Sequence, residues 1–298
     1  MKVLFRFDAS EALRRKVAAF GVEVCPESDD AAYQRLLPEI EVLWHVLKPV
    51  TAEHIAAAKK LRLIQKIGTG VNTIDVDAAK KRGIAVCNLP GTNSRAVAEM
   101  TLLLMLACLR RLPELNDSVK TQSWAGAWKL QDRFGELGGR TVGLVGYGAV
   151  AKILSAMLEA MGAKVLYWSR SRKSAELGTL VEMSDIVSLH LPLTPQTAEI
   201  LDPRKMKTGA ILINTARGGL VNEDFLVEAL KSGRLAAAGL DVFAEEPPRP
   251  GHPLLSLPNV VCAPHLAWLT QETLERSLSA ALENVRRLGA GDKLLNQV

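Results

Sequence analysis

Residues 141–151 constrain the fold more than any other stretch, because they read Thr-Val-Gly-Leu-Val-Gly-Tyr-Gly-Ala-Val-Ala. The apolar run 142–145 predicts a buried strand, and residues 149–161, which contain no glycine or proline, predict the helix that follows. Between them Gly146 permits a tight turn, and Gly148 leaves room for a pyrophosphate at the helix N-terminus. The stretch therefore predicts a dinucleotide-binding turn. The residues expected to contact the dinucleotide are Gly146, Tyr147, Gly148, Ala149 and Val150.

The next strand is predicted over residues 164–168. The basic segment that follows it reads Ser169-Arg170-Ser171-Arg172-Lys173. In an NAD site, a carboxylate about 20 residues beyond the glycines binds the ribose 2′-hydroxyl, whereas an arginine there suits a 2′-phosphate. This segment has no carboxylate, and a guanidinium can hold a phosphate through two hydrogen bonds. It therefore predicts NADP, as NADPH, bound by Ser169, Arg170, Ser171 and Arg172. NAD is the weaker alternative, in which the segment is a solvated basic loop.

Strand-like and helical stretches alternate along the whole chain, which is typical of parallel sheets with helices on both faces. A first series of predicted strands ends near residue 88, and a second series begins at residue 141. A long apolar helix, predicted over 94–111, joins them. In the second series, Asn222 followed by two carboxylates predicts a capped helix start. The fold class is therefore α/β, with two doubly wound parallel-sheet domains.

Composition limits the function classes that remain. A chain of 298 residues with a net charge of +5 is long enough for two domains, and its charge is too mild and dispersed to indicate nucleic-acid binding. The four cysteines form no C-x-x-C pair, so neither a metal site nor a disulfide framework is expected. The longest apolar run, 100–109, is too short to span a membrane, and the first residues lack a signal-peptide core. We expect a cytoplasmic protein.

Several spaced motifs together resemble those of the D-isomer-specific 2-hydroxyacid dehydrogenases, and the resemblance covers almost the whole chain. It is greatest to the NADPH-dependent glyoxylate and hydroxypyruvate reductases. Besides the glycine turn, the motifs are Ile67-Gly68-Thr69-Gly70-Val71-Asn72-Thr73-Ile74-Asp75, Asn88-Leu89-Pro90-Gly91, Ala96-Val97-Ala98-Glu99, Glu136-Leu137-Gly138-Gly139, His190-Leu191-Pro192-Leu193-Thr194, Asn214-Thr215-Ala216-Arg217-Gly218, Asp241-Val242-Phe243, Glu246-Pro247 and Pro264-His265.

The resemblance implies a domain organisation. Residues 1–94 and 271–298 would form a flavodoxin-like substrate-binding domain, and residues 95–270 a Rossmann-type cofactor domain inserted into it. Because members of the family are usually dimers joined through the cofactor domain, a homodimer of that kind is expected.

The resemblance also implies three catalytic residues, Arg217, Glu246 and His265. Reducing a 2-oxo acid requires a hydride for the carbonyl carbon, a proton for its oxygen and cations that hold the carboxylate. Arg217 would form paired hydrogen bonds with the substrate, and His265 would be the acid in reduction and the base in oxidation. Glu246 would pair with His265 and keep the imidazole protonated above neutral pH.

Further binding residues follow from the same resemblance. The cofactor would also contact residues beyond the glycine turn and the basic segment, namely His190, Leu191, Pro192, Thr197, Thr215, Ala216, Arg217, Asp241 and His265. The substrate would contact Thr69, Gly70, Val71, Arg217, His265 and Trp268. His190 is expected near the cofactor and not among the catalytic residues. Asp241 would face the nicotinamide carboxamide.

The function that these expectations favour is reduction of small anionic 2-oxo acids, glyoxylate and hydroxypyruvate, with NADPH. Trp268 stands where many relatives have a small residue, so it could restrict the substrate side chain or pack under the last helix. An NAD-linked dehydrogenase of D-lactate, D-glycerate or phosphoglycerate type is the close alternative. A less favoured alternative is a nucleotide-sensing, corepressor-like binding protein without turnover.

Overall fold

A computed structural model describes all residues from Met1 to Val298, in two compact units. Unit 1 comprises Met1–Asn93 and Thr270–Val298, and unit 2 comprises Ser94–Leu269. These boundaries lie one residue from those expected from the resemblance. None of the helices is both long and apolar enough to cross a bilayer.

The first 93 residues of unit 1 alternate strictly between strands and helices. The strands are β1 (Val3–Arg6), β2 (Val22–Cys25), β3 (Val42–His45), β4 (Leu63–Lys66) and β5 (Ala85–Cys87), and the helices are α1 (Glu11–Ala18), α2 (Asp30–Leu36), α3 (Ala52–Ala57) and α4 (Val76–Lys81). All strands are parallel, in the order β2-β1-β3-β4-β5. This order is the flavodoxin-like doubly wound arrangement, as expected.

Unit 2 contains the second series. Its helices are α5 (Ser94–Arg110), α6 (Leu112–Lys120), α7 (Trp124–Ala127), α8 (Ala149–Ala160), α9 (Leu177–Met183) and α10 (Glu223–Lys231), and its strands are β6 (Thr141–Val145), β7 (Lys164–Trp168), β8 (Ile186–Leu189), β9 (Ala210–Asn214), β10 (Leu235–Leu240) and β11 (Val260–Cys262). The parallel order is β11-β10-β9-β8-β6-β7. The strand order reverses between β6 and β8, so the crevice for a ligand is expected at their carboxyl ends.

The sheet of unit 2 has an apolar core on both faces. Residues of α5 and α8, among them Leu104 and Leu154, cover one face, and residues of α9 and α10, among them Leu180 and Leu226, cover the other. The prediction of doubly wound parallel-sheet domains is therefore confirmed. The last helix, α11 (Gln271–Ala290), belongs to unit 1, where the amide of Asn284 donates to Gln65 in β4 at 2.7 Å.

Candidate active site

The glycine turn lies at the reversal point of the unit 2 sheet. Gly146 follows β6 with a φ of +99°, and a Cβ there would overlap the carbonyl of His190, which follows β8. Only glycine therefore lets the two strand ends approach this closely. Gly148 is the N-cap of α8 and offers no capping side chain, so the first N–H groups of α8 are uncapped. Such N–H groups suit a pyrophosphate, and this geometry fits a dinucleotide.

The basic segment after β7 forms a closed turn. The Oγ of Ser169 donates to the carbonyl of Arg172 at 2.7 Å, and the N–H of Arg172 donates back to this Oγ at 3.1 Å. Lys173 forms an ion pair with Glu176 at 2.5 Å, so one of the three cations is already neutralised. Arg170 and Arg172 are exposed and have no carboxylate partner. The two guanidiniums remain available for an anion, and Ser171 lies exposed between them.

Tyr147 and the residues after β8 complete the surroundings of the turn. The ring of Tyr147 stacks on Tyr167 of β7 at a centroid distance of 3.9 Å. His190 contacts the Oγ of Ser188 through Nε2 at 3.0 Å, and burial lowers the pKa of His190 to about 4. His190 is therefore neutral at physiological pH. Thr197 donates to the carbonyl of Pro192 at 2.6 Å, which closes the loop that directly follows Leu191.

The three predicted catalytic residues all follow carboxyl ends of strands in unit 2. Arg217 comes three residues after β9, Glu246 comes after β10, and His265 comes after β11. The Nδ1 of His265 lies 2.6 Å from Oε2 of Glu246, and the two side chains are 18% and 34% exposed. This pairing leaves Nε2 as the imidazole atom that can exchange a proton with a ligand.

Charge and burial tune this set. Burial raises the pKa of Glu246, but the hydrogen bond and charge of His265 outweigh burial, so the pKa lies below its ordinary value. Burial lowers the pKa of Arg217, and the charge of Glu246 opposes that change. Arg217 stays cationic because a guanidinium remains protonated at neutral pH. The site therefore holds a guanidinium and a carboxylate–imidazole pair at neutral pH.

Asp241 and Thr215 have structural partners that the sequence did not reveal. The two carboxylate oxygens of Asp241 accept the N–H groups of Leu266 and Ala267 at 2.9 and 3.0 Å, and its carbonyl accepts the N–H of His265 at 2.8 Å. Asp241 thus holds His265 in a left-handed conformation, with φ of +57°. Thr215 lies 2.8 Å from the hydroxyl of Thr101 in α5. The apolar pattern of α5 gave no signal for Thr101.

Asn214, the last residue of β9, fixes the segment before Arg217. Its side-chain oxygen accepts the N–H of Ala216 at 3.0 Å, and its amide donates to the carbonyl of Arg217 at 2.8 Å. A Cβ on the next residue, Gly218, would overlap the backbone of Phe243 and Ala244. The backbone at Arg217 is therefore held by the side chain of Asn214 and by the close packing of Gly218 against Phe243 and Ala244.

The predicted substrate residues of unit 1 lie in the loop after β4. None of the N–H groups of Thr69, Gly70 and Val71 donates to an acceptor of the protein. The carbonyl of Thr69 accepts the amide of Asn88 at 2.8 Å, which fixes the loop. Successive backbone N–H groups without an internal acceptor can bind a carboxylate.

In unit 2, Trp268 is only 7% exposed, whereas Leu266, next to His265, is 42% exposed. Trp268 is therefore packed over most of its surface, whereas Leu266, the residue after His265, is an exposed apolar side chain. No group of three or more histidine, cysteine or acidic side chains lies close enough to hold a metal ion.

Comparison with known proteins identifies the family. Residues 102–267 match the family model of the D-isomer specific 2-hydroxyacid dehydrogenase, NAD binding domain. The chain belongs to this family. The dehydrogenase is 37% identical to glyoxylate reductase from Aeropyrum pernix, over 94% of this chain and 90% of that protein. It is 39% identical to hydroxypyruvate reductase from Thermotoga maritima, over 81% of this chain and 82% of that protein.

Solved structures extend the likeness over both units. The TT0316 protein from Thermus thermophilus superposes with a TM-score of 0.90 at 36% identity, covering 100% of each chain. More distant relatives bind either nicotinamide cofactor, since one is an acyclic imino acid reductase in complex with NADPH and another is a formate dehydrogenase in complex with NAD. The dehydrogenase is therefore a 2-hydroxyacid oxidoreductase with an NAD(P)-binding domain, as the sequence predicts.

Proposed function

We propose that this dehydrogenase reduces small 2-oxo acids, glyoxylate and hydroxypyruvate foremost, with NADPH. The observation that carries the proposal is the contact of 2.6 Å between His265 and Glu246 in the same unit as Arg217 and the glycine turn. The names of the relatives from Aeropyrum pernix and Thermotoga maritima support these substrates.

The catalytic residues have distinct roles. When bound, NADPH supplies the hydride that reduces the carbonyl carbon. His265 holds a proton at Nε2 and transfers it to the carbonyl oxygen, while Glu246 stabilises the imidazolium from the Nδ1 side. Arg217 binds the substrate carboxylate and carbonyl oxygen, which stabilises the negative charge that develops there. In the oxidative direction His265 is the base.

Substrate binding in unit 1 falls to the main chain of the loop after β4. The N–H groups of Thr69, Gly70 and Val71 bind the substrate carboxylate, and their freedom from internal acceptors supports this role. Trp268 limits the size of the substrate side chain through its packing, and Leu266 is a second candidate for that limit. Trp268→Ala is expected to raise the rate with phenylpyruvate relative to glyoxylate, and an unchanged ratio would remove Trp268 from the specificity residues.

The preference for NADPH rests on Arg170 and Arg172. Both are exposed and unpaired, so binding a 2′-phosphate breaks no existing ion pair. The remaining cofactor contacts proposed are with Gly146, Tyr147, Gly148, Ala149, Val150, Ser169, Ser171, His190, Leu191, Pro192, Thr197, Thr215, Ala216 and Asp241. For Asp241 the two N–H bonds favour support of the His265 loop, and each carboxylate oxygen retains a lone pair for the carboxamide.

The test is an initial-rate panel of NADPH and NADH with glyoxylate, hydroxypyruvate, pyruvate and phenylpyruvate. Fast NADPH turnover with the first two acids supports the proposal. A preference for NADH would favour an NAD-linked dehydrogenase of the D-lactate, D-glycerate or phosphoglycerate type. No turnover with any pair would favour a nucleotide-sensing binding protein.

A matched pair of variants tests the basic segment. Replacing both Arg170 and Arg172 with alanine is expected to raise the KM for NADPH by about 10- to 100-fold and to change that for NADH little, since two charge-assisted bonds are lost. Lys173→Ala is the control, because Lys173 is already paired with Glu176. Equal effects of the double variant on both cofactors would contradict the 2′-phosphate role.

A homodimer joined through unit 2 is the second part of the proposal. The segment from α6 to residue 134 exposes Trp124 by 65%, Trp128 by 69% and Val119 by 55%, around an apolar groove that Phe134 also lines. Exposed apolar surface of this kind is typical of protein interfaces. Trp124→Ser with Trp128→Ser is expected to yield monomers in sedimentation. Phe20→Ser, at an exposed apolar position of unit 1, is the control.

The location proposed is the cytoplasm. All four cysteines are free thiols, and three of them are buried. Free buried thiols are typical of proteins from a reducing compartment.

A further inference from the structure

Unit 2 contains a second carboxylate–imidazole pair besides Glu246 and His265. Glu223, the first residue of α10, has Oε2 3.2 Å from Nε2 of His252, and their side chains are 17% and 23% exposed. The Nδ1 of His252 is buried without a hydrogen-bond partner, so Nε2 makes the polar contact of this ring. Catalysis as proposed does not use this pair.

The pair closes one loop, residues 243–252, which we call the Glu246 loop. The other carboxylate oxygen of Glu223 accepts the N–H of Ala244 at 2.8 Å. One side chain therefore holds both ends of the loop, at Ala244 and at His252. The ring of His252 also meets the ring of Phe243 edge-on, at a centroid distance of 6.5 Å.

Glu246 lies between the two ends that Glu223 holds. Its Oε1 accepts the N–H of Phe243 at 3.1 Å, and its Oε2 lies 2.6 Å from His265. The N–H of Phe243 and that of Ala244 therefore bind two different carboxylates, one directed to the catalytic imidazole and one on α10. Movement of Ala244 away from α10 would displace Phe243 and, with it, the hydrogen bond that orients Glu246.

We infer that Glu223 is a positioning residue for the proton-transferring pair, acting through the Glu246 loop. The inference depends on the proposed roles of Glu246 and His265. Attraction between a carboxylate and an imidazolium weakens as their separation grows and as water enters. A loop released from Glu223 therefore stabilises the protonated imidazole less, and the alkaline limb of the pH profile of 2-oxo acid reduction moves to lower pH.

Glu223→Ala is the first test, measured as kcat/KM for glyoxylate with NADPH across pH. We expect a fall of about 10- to 100-fold at neutral pH, an alkaline limb moved to lower pH, and an unchanged dissociation constant for NADPH. Glu223→Gln keeps an acceptor for Ala244 and should restore part of the rate. Asp224→Asn is the control, because Asp224 lies exposed in the same first turn and its side chain binds nothing in the loop.

A double-mutant cycle with Glu246→Gln shows whether the effect passes through Glu246. If it does, adding Glu223→Ala to Glu246→Gln changes the residual rate far less than it changes the rate of the parent protein. Equal fold-losses in both backgrounds, or a lower Tm with an unmoved alkaline limb, would overturn the inference. Wild-type turnover of His265→Asn would instead overturn the proposed catalytic roles, so the two failures are distinguishable.

Discussion

The carboxyl ends of the two parallel sheets use their side chains differently. In unit 1, Arg6, His45 and Lys66 stand side by side in register on β1, β3 and β4, and each is at most 5% exposed. Arg6 binds Asp30 at 2.6 Å, His45 lies 2.9 Å from the carbonyl of Lys48, and Lys66 donates to the carbonyl of Val46. Each of these three side chains makes a contact that holds a loop, and we propose that unit 1 binds its ligand through the main chain at 69–71.

In unit 2 the corresponding ends carry ionisable side chains that remain partly open. His265 and Glu246 pair with each other, and the groups that hold them are buried, such as Asp241 at 1% exposed. A parallel sheet can therefore present either main-chain donors or side-chain acids and bases at its carboxyl edge.

The largest effect on turnover is expected from replacing a histidine of unit 2, compared with replacing one of unit 1. His265→Asn should lower kcat for glyoxylate by about 10²- to 10⁴-fold, because a general acid is lost, while NADPH binding measured by fluorescence stays near normal. His45→Asn, at a buried histidine of unit 1, should lower the Tm and leave kcat within a few-fold. If the two variants lost equal turnover, the distinction would be wrong between a catalytic histidine in unit 2 and a structural histidine in unit 1.

The next effect concerns the backbone contact that holds Arg217. A Cβ at Gly218 would overlap the backbone of Phe243 and Ala244, which cannot rotate away as a side chain could. Gly218→Ala is therefore expected to reduce the free energy of unfolding by about 1–3 kcal/mol and to lower kcat. At the neighbouring Gly219 a Cβ would meet only the side chain of Leu193, at 3.1 Å. Gly219→Ala is the control, and equal losses in both variants would contradict the explanation.

Much of this arrangement could be predicted from the sequence, for a physical reason. The spacing of apolar residues and the placement of glycines identify β6, its turn and α8. A parallel sheet brings the carboxyl ends of all its strands to one edge, so the residues that follow the strands lie on the same side of the sheet. The capped start of α10 at Asn222 was also predicted, and the side chain of Asn222 accepts the N–H groups of Asp224 and Phe225 at 3.1 and 3.2 Å. Such features could be predicted because they depend on residues that are close together in the sequence.

Partners distant in the chain could not be predicted. Glu223 looked like a helix-start carboxylate, yet it binds Ala244, 21 residues further on. Thr101 contacts Thr215, which lies 114 residues further along the chain, and the apolar pattern of α5 does not predict that contact. Lys173 is the third cation of the basic segment, and its ion pair with Glu176 could not be read from the spacing. Such contacts depend on tertiary packing, which propensity and spacing do not encode.

A smaller effect should follow from loosening the loop of unit 1. The amide of Asn88 donates to the carbonyl of Thr69 at 2.8 Å at an exposed site. Asn88→Ala is expected to raise the KM for glyoxylate by about 2- to 10-fold, the worth of one ordinary hydrogen bond, with kcat little changed. Asn93→Ala, on an asparagine outside this hydrogen bond, is the control. A fall in kcat without a rise in KM would show that the loop does more than bind substrate.

The smallest effect is a dependence of stability on pH that both units share. Burial, then the charge of Lys66, lowers the pKa of His45 to about 3, and burial lowers that of His190 to about 4. Both histidines stay neutral in the folded state, whereas the unfolded chain binds protons below about pH 6.5. Stability from each neutral histidine is therefore present above that pH and is lost as the pH falls toward the folded pKa.

Linkage gives each histidine about 0.7 kcal/mol of lost stability between pH 7 and pH 6. His45→Asn should remove the share of His45 from the pH dependence of unfolding of unit 1, where His54, whose pKa burial also lowers, keeps a share of its own. His190→Asn should remove the share of His190 from the unfolding of unit 2, as followed by calorimetry at the two pH values. Since acidification protonates the unfolded chain in either unit, the shares of His45 and His190 should be nearly equal. If His45→Asn left the slope of unit 1 intact, water or a neighbouring group would be stabilising the imidazolium at this edge, and the buried side chains of unit 1 would not be closed to protons.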